Sequence, residues 1–146
     1  MDAEDLIKNL KNSDFKQNYK KINIAWDFAE NAHKGQLRSS GESYFTHPVS
    51  VALILSNLNL DLNTIITGLL HDVVEDCGVS ISKISSLFGE EVALLVDGVT
   101  KLTKLELQSD RSKQAENFRK LFLATSNDIR VLLVKLADRT HNMRTI

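Results

Sequence analysis

Four side chains that can bind a cation or carry a proton stand within six positions of the segment GLLHDVVEDCG, residues 68–78. His71 and Asp72 are adjacent, and Glu75 and Asp76 repeat the pair four residues later, one helical turn along. Carboxylates near the C-terminal end of a helix face the negative end of its dipole, which costs a few tenths to about 1 kcal/mol each. A divalent cation would cancel this repulsion, so the segment predicts a metal site whose second acidic pair handles a water molecule.

Two residues cannot hold a catalytic ion, and two more candidates stand elsewhere in the chain. His47 follows a polar loop and opens a helix beside Pro48, which fixes its direction. Asp138 lies on an otherwise apolar helix, where an unpaired buried carboxylate is unfavourable. Together with His71 and Asp72 they form a mixed nitrogen and oxygen set, which suits manganese, iron, magnesium or zinc.

Each of these candidates also has a purely structural interpretation. The acidic residues of the segment 68–78 can be solvent-facing charges at a frayed helix end. His47 can serve as a helix cap or a packing residue, and Asp138 can form a salt bridge with Lys135 or Arg139. These alternatives remain open from the residues alone.

Two polar residues follow Asp138 on the same predicted helix face. Asn142 and Thr145 stand four and seven residues after it, a spacing that keeps side chains on one side of a helix. They can hydrogen-bond a substrate that lies over the metal, or they can be ordinary polar surface.

The elements that must position these residues are helices. One proline and six glycines in 146 residues leave few helix breakers, and apolar residues recur at steps of three and four. With no repeat and no convincing strand, we predict an all-α bundle of about seven or eight helices. The predicted helices are a short one in the first 12 residues, Phe15 to about Lys34, Pro48–Asn59, an Asp61-capped helix to Gly78, a Ser80-capped helix to Leu87, one from about Glu90, one after the loop Gln108–Ser112 to about Thr125, and one capped by Asn127 or Asp128 that continues to the last residue.

Composition excludes several classes of protein. The formal net charge of −1 gives no footprint for general nucleic-acid binding, and no apolar run is long enough to cross a membrane. One cysteine cannot form an internal disulfide, so we expect a cytoplasmic protein. The length suits a single domain over residues 1–146, and the oligomeric state stays open.

The order His47, His71–Asp72 and Asp138 resembles the H…HD…D signature of the HD-domain metal phosphohydrolases. Four longer blocks, RSSGESYFTHP, GLLHDVVEDC, FGEEVALLVDGVTKL and VKLADRTHNMRT, closely resemble the hydrolase domain of the RelA/SpoT enzymes of the stringent response. The resemblance extends from about residue 22 to residue 146, and it implies the HD-domain helical bundle.

By this resemblance the chain removes pyrophosphate from the 3′ position of (p)ppGpp and leaves GDP or GTP. The resemblance implies one Mn²⁺ bound by His47, His71, Asp72 and Asp138. It implies that Glu75 and Asp76 orient and activate the attacking water. It assigns Arg38 to stacking on the guanine, and Ser40, Asn142 and, as a weaker match, Thr145 to neighbouring parts of the guanine nucleotide.

The chain also departs from the family pattern. Ser39 stands where the family often has lysine, and Ser43 where it often has proline before the tyrosine. The family hydrolase domain continues through further helices, and a synthetase domain follows it, so residues 1–146 are expected to lack both. Two alternative functions are therefore a non-catalytic remnant that binds a nucleotide or partner, and an HD phosphatase for another nucleotide.

Overall fold

The computed structural model describes residues 15–107 and 128–144, together with residues 5, 6 and 119. These ranges contain no strand, only a single antiparallel bridge between Leu37 and Ser43. The predicted all-α class is confirmed. The described helices are α1 Phe15–Ala32, α2 Thr46–Asn57, α3 Leu62–Leu70, α4 Val73–Cys77, α5 Ile81–Phe88, α6 Glu90–Leu107 and α7 Ile129–Arg144.

Some of the predicted structure lies beyond this part of the chain. Most of the short N-terminal helix, the loop 108–112 and the helix that was expected to end near residue 125 fall outside the described residues. Within the described ranges, no helix combines the length and the apolar character needed to span a membrane.

Helix α3 is the central element of the bundle. All of its residues from Thr64 to Leu70 are buried, as expected for a helix that is apolar on every side. It packs against α1, α2, α6 and α7. The end of α3, where the histidine and aspartate of the 68–78 segment follow, therefore lies deep in the molecule.

The prediction of one unbroken helix from Asp61 to Gly78 is wrong. Helix α3 ends at Leu70, and after a turn at His71 and Asp72 the chain forms the short helix α4, which ends at Gly78 in a left-handed conformation (φ 69°). Adjacent side chains on a helix diverge by about 100°. The turn overcomes this divergence, because it brings His71 Nε2 to within 3.0 Å of Asp72 Oδ2.

The sequence predicted two helix starts correctly. Helix α2 begins at Thr46 with Pro48 in its first turn. Backbone N–H groups in the first turn have no partner within the helix, so proline loses no hydrogen bond there. Ser80 caps α5, since its Oγ accepts a hydrogen bond from the Lys83 backbone N–H. The first of these starts fixes the backbone around His47.

Arg130 joins the starts of three helices. Its Nη1 donates to Asp61 Oδ2 (2.8 Å), and its Nη2 donates to Glu91 Oε1 and Asp128 Oδ2 (2.7 Å each). Asp61 occupies the N-cap position of α3 as predicted, but its side chain makes no capping bond to the backbone. Asp128 does cap α7 by accepting from the Arg130 backbone N–H (3.0 Å). Hydrogen bonds from Arg130 lower the pKa of Asp128.

Gly68 permits the close approach of α2 and α3. A Cβ at this position would lie 2.7 Å from Leu55 Cδ1 and 3.3 Å from the Ala52 Cα. Leu55 is fully buried and Ala52 contributes backbone, so neither can withdraw freely. The absence of a side chain at residue 68 thus sets the distance between α2, which carries His47, and α3, which ends just before His71.

We expect Gly68→Ala to destabilise the fold. Overpacking of a core typically costs about 1 to 3 kcal/mol, which outweighs the gain of up to about 1 kcal/mol from replacing a helical glycine by alanine. Urea unfolding followed by circular dichroism measures the difference, with Ser86→Ala on the exposed face of α5 as the control. A Gly68→Ala protein as stable as the parent would contradict the close approach.

We expect Asp128→Asn to lose a stabilising charge interaction while keeping a capping oxygen. Because the folded-state pKa of Asp128 lies below its ordinary value of 3.8, the carboxylate stabilises the fold above that pH and loses this effect as the pH falls through the folded-state pKa. The difference in unfolding free energy between parent and variant should therefore be larger at neutral pH than at pH about 3. It should shrink at neutral pH when Arg130→Met is also present.

Candidate metal centre

The four residues predicted as metal ligands meet in one cluster. His47 comes from the first turn of α2, His71 and Asp72 from the turn after α3, and Asp138 from α7. One ligand atom from each residue lies within 4.8 Å of the others. Three of the four residues are buried and Asp72 is partly buried. The predicted ligands are up to 91 positions apart in the sequence and lie together in the fold.

His71 carries the clearest sign that the cluster fits a cation. Its Nδ1 lies 2.7 Å from the Gly68 carbonyl oxygen, which can only accept, so Nδ1 must carry the proton. Its Nε2 lies 3.0 Å from Asp72 Oδ2 and 3.3 Å from Asp138 Oδ1, yet this buried atom has no hydrogen-bond partner. Buried polar atoms are normally paired, and a cation between these atoms satisfies all three.

The electrostatics of the cluster also favour a positive charge. Burial disfavours a charged imidazolium, but Asp72 and Asp138 outweigh this and raise the pKa of His71 well above 6.5. Burial likewise opposes the charge on Asp72, but the neighbouring His71 and a hydrogen bond from Tyr44 bring the pKa of that carboxyl down to about 2. The site holds two carboxylates and attracts either protons or a metal ion.

The two carboxylate oxygens of Asp138 contact different partners. Oδ1 lies 2.6 Å from His47 Nε2, whereas Oδ2 accepts a hydrogen bond from Lys135 Nζ at 2.9 Å. The salt bridge with Lys135, considered above as an alternative role, is therefore present on the oxygen that faces away from the histidines. Burial raises the pKa of Asp138, but the hydrogen bond with His47 and the nearby charges of His71 and Lys135 make it lower than usual overall.

Tyr44 is a site residue that the sequence reasoning did not identify. Its hydroxyl donates to Asp72 Oδ2 at 2.8 Å. Burial, and then the charge of Asp72, raise the pKa of Tyr44 above its ordinary value of 10.0, so it remains a donor. The sequence offered one signal for this role. Tyr44 lies three residues before His47, close to the first turn of α2.

The two carboxylates predicted to handle water lie on α4 in different surroundings. Asp76 is exposed, and its pKa is raised by partial burial and then by the charge of Asp72, while Tyr44 opposes the shift. Asp76 is therefore close enough to Asp72 for that charge to act on it. Glu75 is exposed, and none of the hydrogen bonds or ion pairs of the described residues joins it to the cluster.

The loop before α2 brings Arg38 to the end of α7. A tight turn, in which the Arg38 N–H donates to the Glu42 carbonyl (2.8 Å), holds the loop. Arg38 Nη1 then donates to His141 Nδ1 (3.1 Å), and Nη2 donates to Asn142 Oδ1 (3.2 Å). Asn142 Nδ2 in turn lies 3.4 Å from Asp138 Oδ1. Two predicted substrate residues, Arg38 and Asn142, are thus adjacent to each other and to the cluster.

The other two predicted substrate residues are not placed there. The Ser40 Oγ accepts a hydrogen bond from the Glu42 N–H at 3.5 Å within its own loop, and the residue is exposed. Thr145 lies outside the described residues. Their roles stay predictions.

His141 is a second residue that the sequence reasoning missed. Its Nδ1 lies 2.7 Å from His47 Nδ1, and the two ring planes are inclined by 30° with centroids 4.9 Å apart. Burial, and then the nearby His47 and Arg38, lower the pKa of His141. Its spacing of three residues from Asp138 was the available signal, because such residues are neighbours on a helix surface.

Comparisons with known proteins agree with this arrangement. The HD-domain family model matches residues 25–146. The bifunctional (p)ppGpp synthase/hydrolase SpoT of Escherichia coli (strain K12) is 54% identical over 127 residues, which are 87% of this chain and 18% of SpoT. The guanosine-3′,5′-bis(diphosphate) 3′-pyrophosphohydrolase of Vibrio cholerae serotype O1 is 58% identical over 118 residues, 81% of this chain and 17% of that enzyme. This chain spans less than a fifth of the length of these relatives.

A solved structure is also similar. It is that of a metazoan ortholog of SpoT that hydrolyses ppGpp, and it matches with a TM-score of 0.65 at 30% identity. The match covers 85% of this chain and 68% of the other. The family model covers every residue of the cluster. This chain therefore belongs to the HD-domain family and is related to the SpoT-type (p)ppGpp hydrolase domains.

Proposed function

We propose that this chain hydrolyses the 3′-pyrophosphate of (p)ppGpp with the help of Mn²⁺. Water adds to the phosphorus attached to the 3′ oxygen, the bond between that oxygen and phosphorus breaks, and the 3′ oxygen takes up the proton that the water releases, so the products are pyrophosphate and GDP or GTP. The observation that carries the proposal is the buried, unpaired His71 Nε2 between two carboxylates. The substrate assignment is supported by the relatives that bear the name of this hydrolase.

In this proposal His47, His71, Asp72 and Asp138 hold the cation. The mixture of imidazole and carboxylate ligands suits Mn²⁺, which accepts nitrogen and oxygen donors. When bound, such a cation polarises a phosphoryl oxygen and makes water a stronger acid. Tyr44 holds the Asp72 carboxylate in place through its hydrogen bond of 2.8 Å, and Lys135 does the same for Asp138.

The acidic pair of α4 moves the protons in this reaction. Asp76 borders the cluster through Tyr44 and Asp72, and its carboxylate accepts a proton from the attacking water. Its raised pKa lies closer to neutrality than that of an ordinary aspartate, which suits a general base. Glu75, one position before it on the exposed side of α4, orients the water.

The Arg38 loop and the end of α7 bind the guanosine. The planar guanidinium of Arg38 stacks on the base, an attraction worth about 0.5 to 2 kcal/mol. Asn142 contacts the ribose side of the nucleotide, since its amide already lies between Arg38 and Asp138. Ser40 and Thr145 are assigned to the base and ribose by the family resemblance.

We expect Asp138→Asn and Asp76→Asn to fail in different ways. Asp138→Asn should weaken Mn²⁺ binding and lower the rate of ppGpp hydrolysis by more than about 100-fold, because it removes a ligand. Asp76→Asn should bind Mn²⁺ like the parent and lower kcat by about 10²- to 10⁴-fold, because it removes a proton acceptor. Calorimetry with Mn²⁺ and ion chromatography of released pyrophosphate measure the two effects.

The matched control is Asp97→Asn, which removes a carboxylate that pairs with Lys101 on α6 (2.9 Å) outside the cluster. It should leave both quantities unchanged. A folded parent chain loaded with Mn²⁺ that releases no pyrophosphate would contradict the proposed activity. Nucleotide binding without product would instead indicate a non-catalytic protein, and a panel of nucleotides would reveal a different HD phosphatase.

We expect Arg38→Ala to raise KM for ppGpp by about 3- to 30-fold with little change in kcat at saturating Mn²⁺, because stacking on the base binds substrate and transition state alike. Arg38→Lys should restore little, since an ammonium is not planar. Lys83→Ala, on the exposed side of α5, is the control for loss of a positive charge. A fall in kcat at unchanged KM would contradict the role in base binding.

A further inference from the structure

The two candidate imidazole ligands have the same orientation. Each turns Nε2 toward the carboxylates of the cluster and Nδ1 away from them. For His71 the outer nitrogen donates to the Gly68 carbonyl, so the neutral ring has its lone pair on the inner nitrogen. Histidines that bind metals usually donate their other N–H to a fixed acceptor in this way.

The outer nitrogen of His47 faces a nitrogen rather than a carbonyl. His47 Nδ1 lies 2.7 Å from His141 Nδ1, and at this distance one of the two must donate to the other. Arg38 Nη1 lies 3.1 Å from the same nitrogen of His141. A guanidinium has donors and no acceptor, so His141 Nδ1 carries a lone pair.

The network therefore assigns the proton between the two rings to His47 Nδ1. Its Nε2 lies 2.6 Å from Asp138 Oδ1 and 3.8 Å from Asp72 Oδ2, so without a cation this nitrogen carries a proton that the Asp138 carboxylate accepts. When a cation replaces that proton, the ring keeps its proton on Nδ1 and turns the lone pair of Nε2 to the cation. This arrangement matches that of His71 and is reached through a different acceptor.

We propose that His141 is a positioning residue that holds His47 in the tautomer able to bind a divalent cation through Nε2. The inference rests on the role of His47 as a metal ligand in the proposed function. Without an acceptor at Nδ1, neutral His47 places its proton on Nε2, where Asp138 Oδ1 accepts it. A cation that binds Nε2 then leaves the ring proton on Nδ1 with no acceptor to hold it.

The relative orientation of the two rings adds a second constraint. The planes of His47 and His141 are inclined by 30°, with centroids 4.9 Å apart, so His141 limits rotation of the His47 ring as well as the position of its proton. His141 itself is only half-buried near the end of α7. Substitutions there can be tested without disturbing the core.

The test is calorimetric titration of the full chain with Mn²⁺ alone, with no nucleotide present. His141→Leu, which has no acceptor, should weaken Mn²⁺ binding by about 10- to 100-fold, the usual effect of removing the partner of a ligand. His141→Asn, whose Oδ1 takes the position of Nδ1, should restore most of the affinity. Thr140→Val removes a bond within the same helix and should bind Mn²⁺ like the parent.

A spectroscopic measurement separates positioning from general loss of structure. Long-range proton and nitrogen-15 correlation of the parent chain loaded with Zn²⁺, a diamagnetic probe, should show His47 bound through Nε2 with its proton on Nδ1. Attachment through Nδ1 would overturn the inference, whether or not the leucine variant folds. Circular dichroism of each variant verifies the fold.

The outcomes also distinguish this inference from the proposed function. Equal Mn²⁺ affinity of the parent and a folded His141→Leu protein would overturn the role of His141 alone, and ppGpp hydrolysis by the parent would be unaffected. Failure of the parent to bind Mn²⁺ would overturn both. A parent that binds Mn²⁺ with the expected loss in His141→Leu, yet hydrolyses no ppGpp, would support the inference and reject the activity.

Discussion

Two carboxylates, Asp72 and Asp138, face the same pair of imidazole nitrogens in the interior of the bundle, and the rest of the site depends on compensating for their charge. Side-chain exposures of 17% and 8% leave little water to screen them. Tyr44 donates to Asp72, Lys135 donates to Oδ2 of Asp138, and Asn142 Nδ2 lies 3.4 Å from Oδ1 of Asp138. The ligand atoms of the four residues lie within 4.8 Å of one another, enclosed by helices whose apolar faces are buried.

Part of this arrangement was predictable because it depends on local rules. The start of α2 at Thr46 and Pro48, the left-handed end at Gly78 and an acid on an apolar helix at Asp138 each have a signature within a few residues of sequence. These local signatures indicated which residues were available to form a site. The family resemblance then implied that His47, His71, Asp72 and Asp138 bind one metal ion.

Other parts were not predictable from local pattern. The break between α3 and α4 has no proline or glycine at the turn to mark it, and it brings His71 Nε2 to within 3.0 Å of Asp72 Oδ2. The bonds from Tyr44 to Asp72 and from His47 to His141 join residues 28 and 94 positions apart, so only the packing of α2 against α3 and α7 reveals them. Periodicity predicted the same role for Glu75 and Asp76, whereas in the structure the charge of Asp72 acts on Asp76 and no hydrogen bond or ion pair of the described residues joins Glu75 to the cluster.

The hydrogen bonds at His141 have a consequence for how two ligands affect each other. Arg38 and His47 both donate to one nitrogen of His141, and two donors that share a lone pair each hold it less strongly than one donor alone. A nucleotide base that draws Arg38 away leaves the lone pair to His47 and strengthens its hold on the tautomer that binds the cation. Under the proposed function, nucleotide and cation are therefore expected to be thermodynamically linked, each increasing the affinity of the other by the same factor.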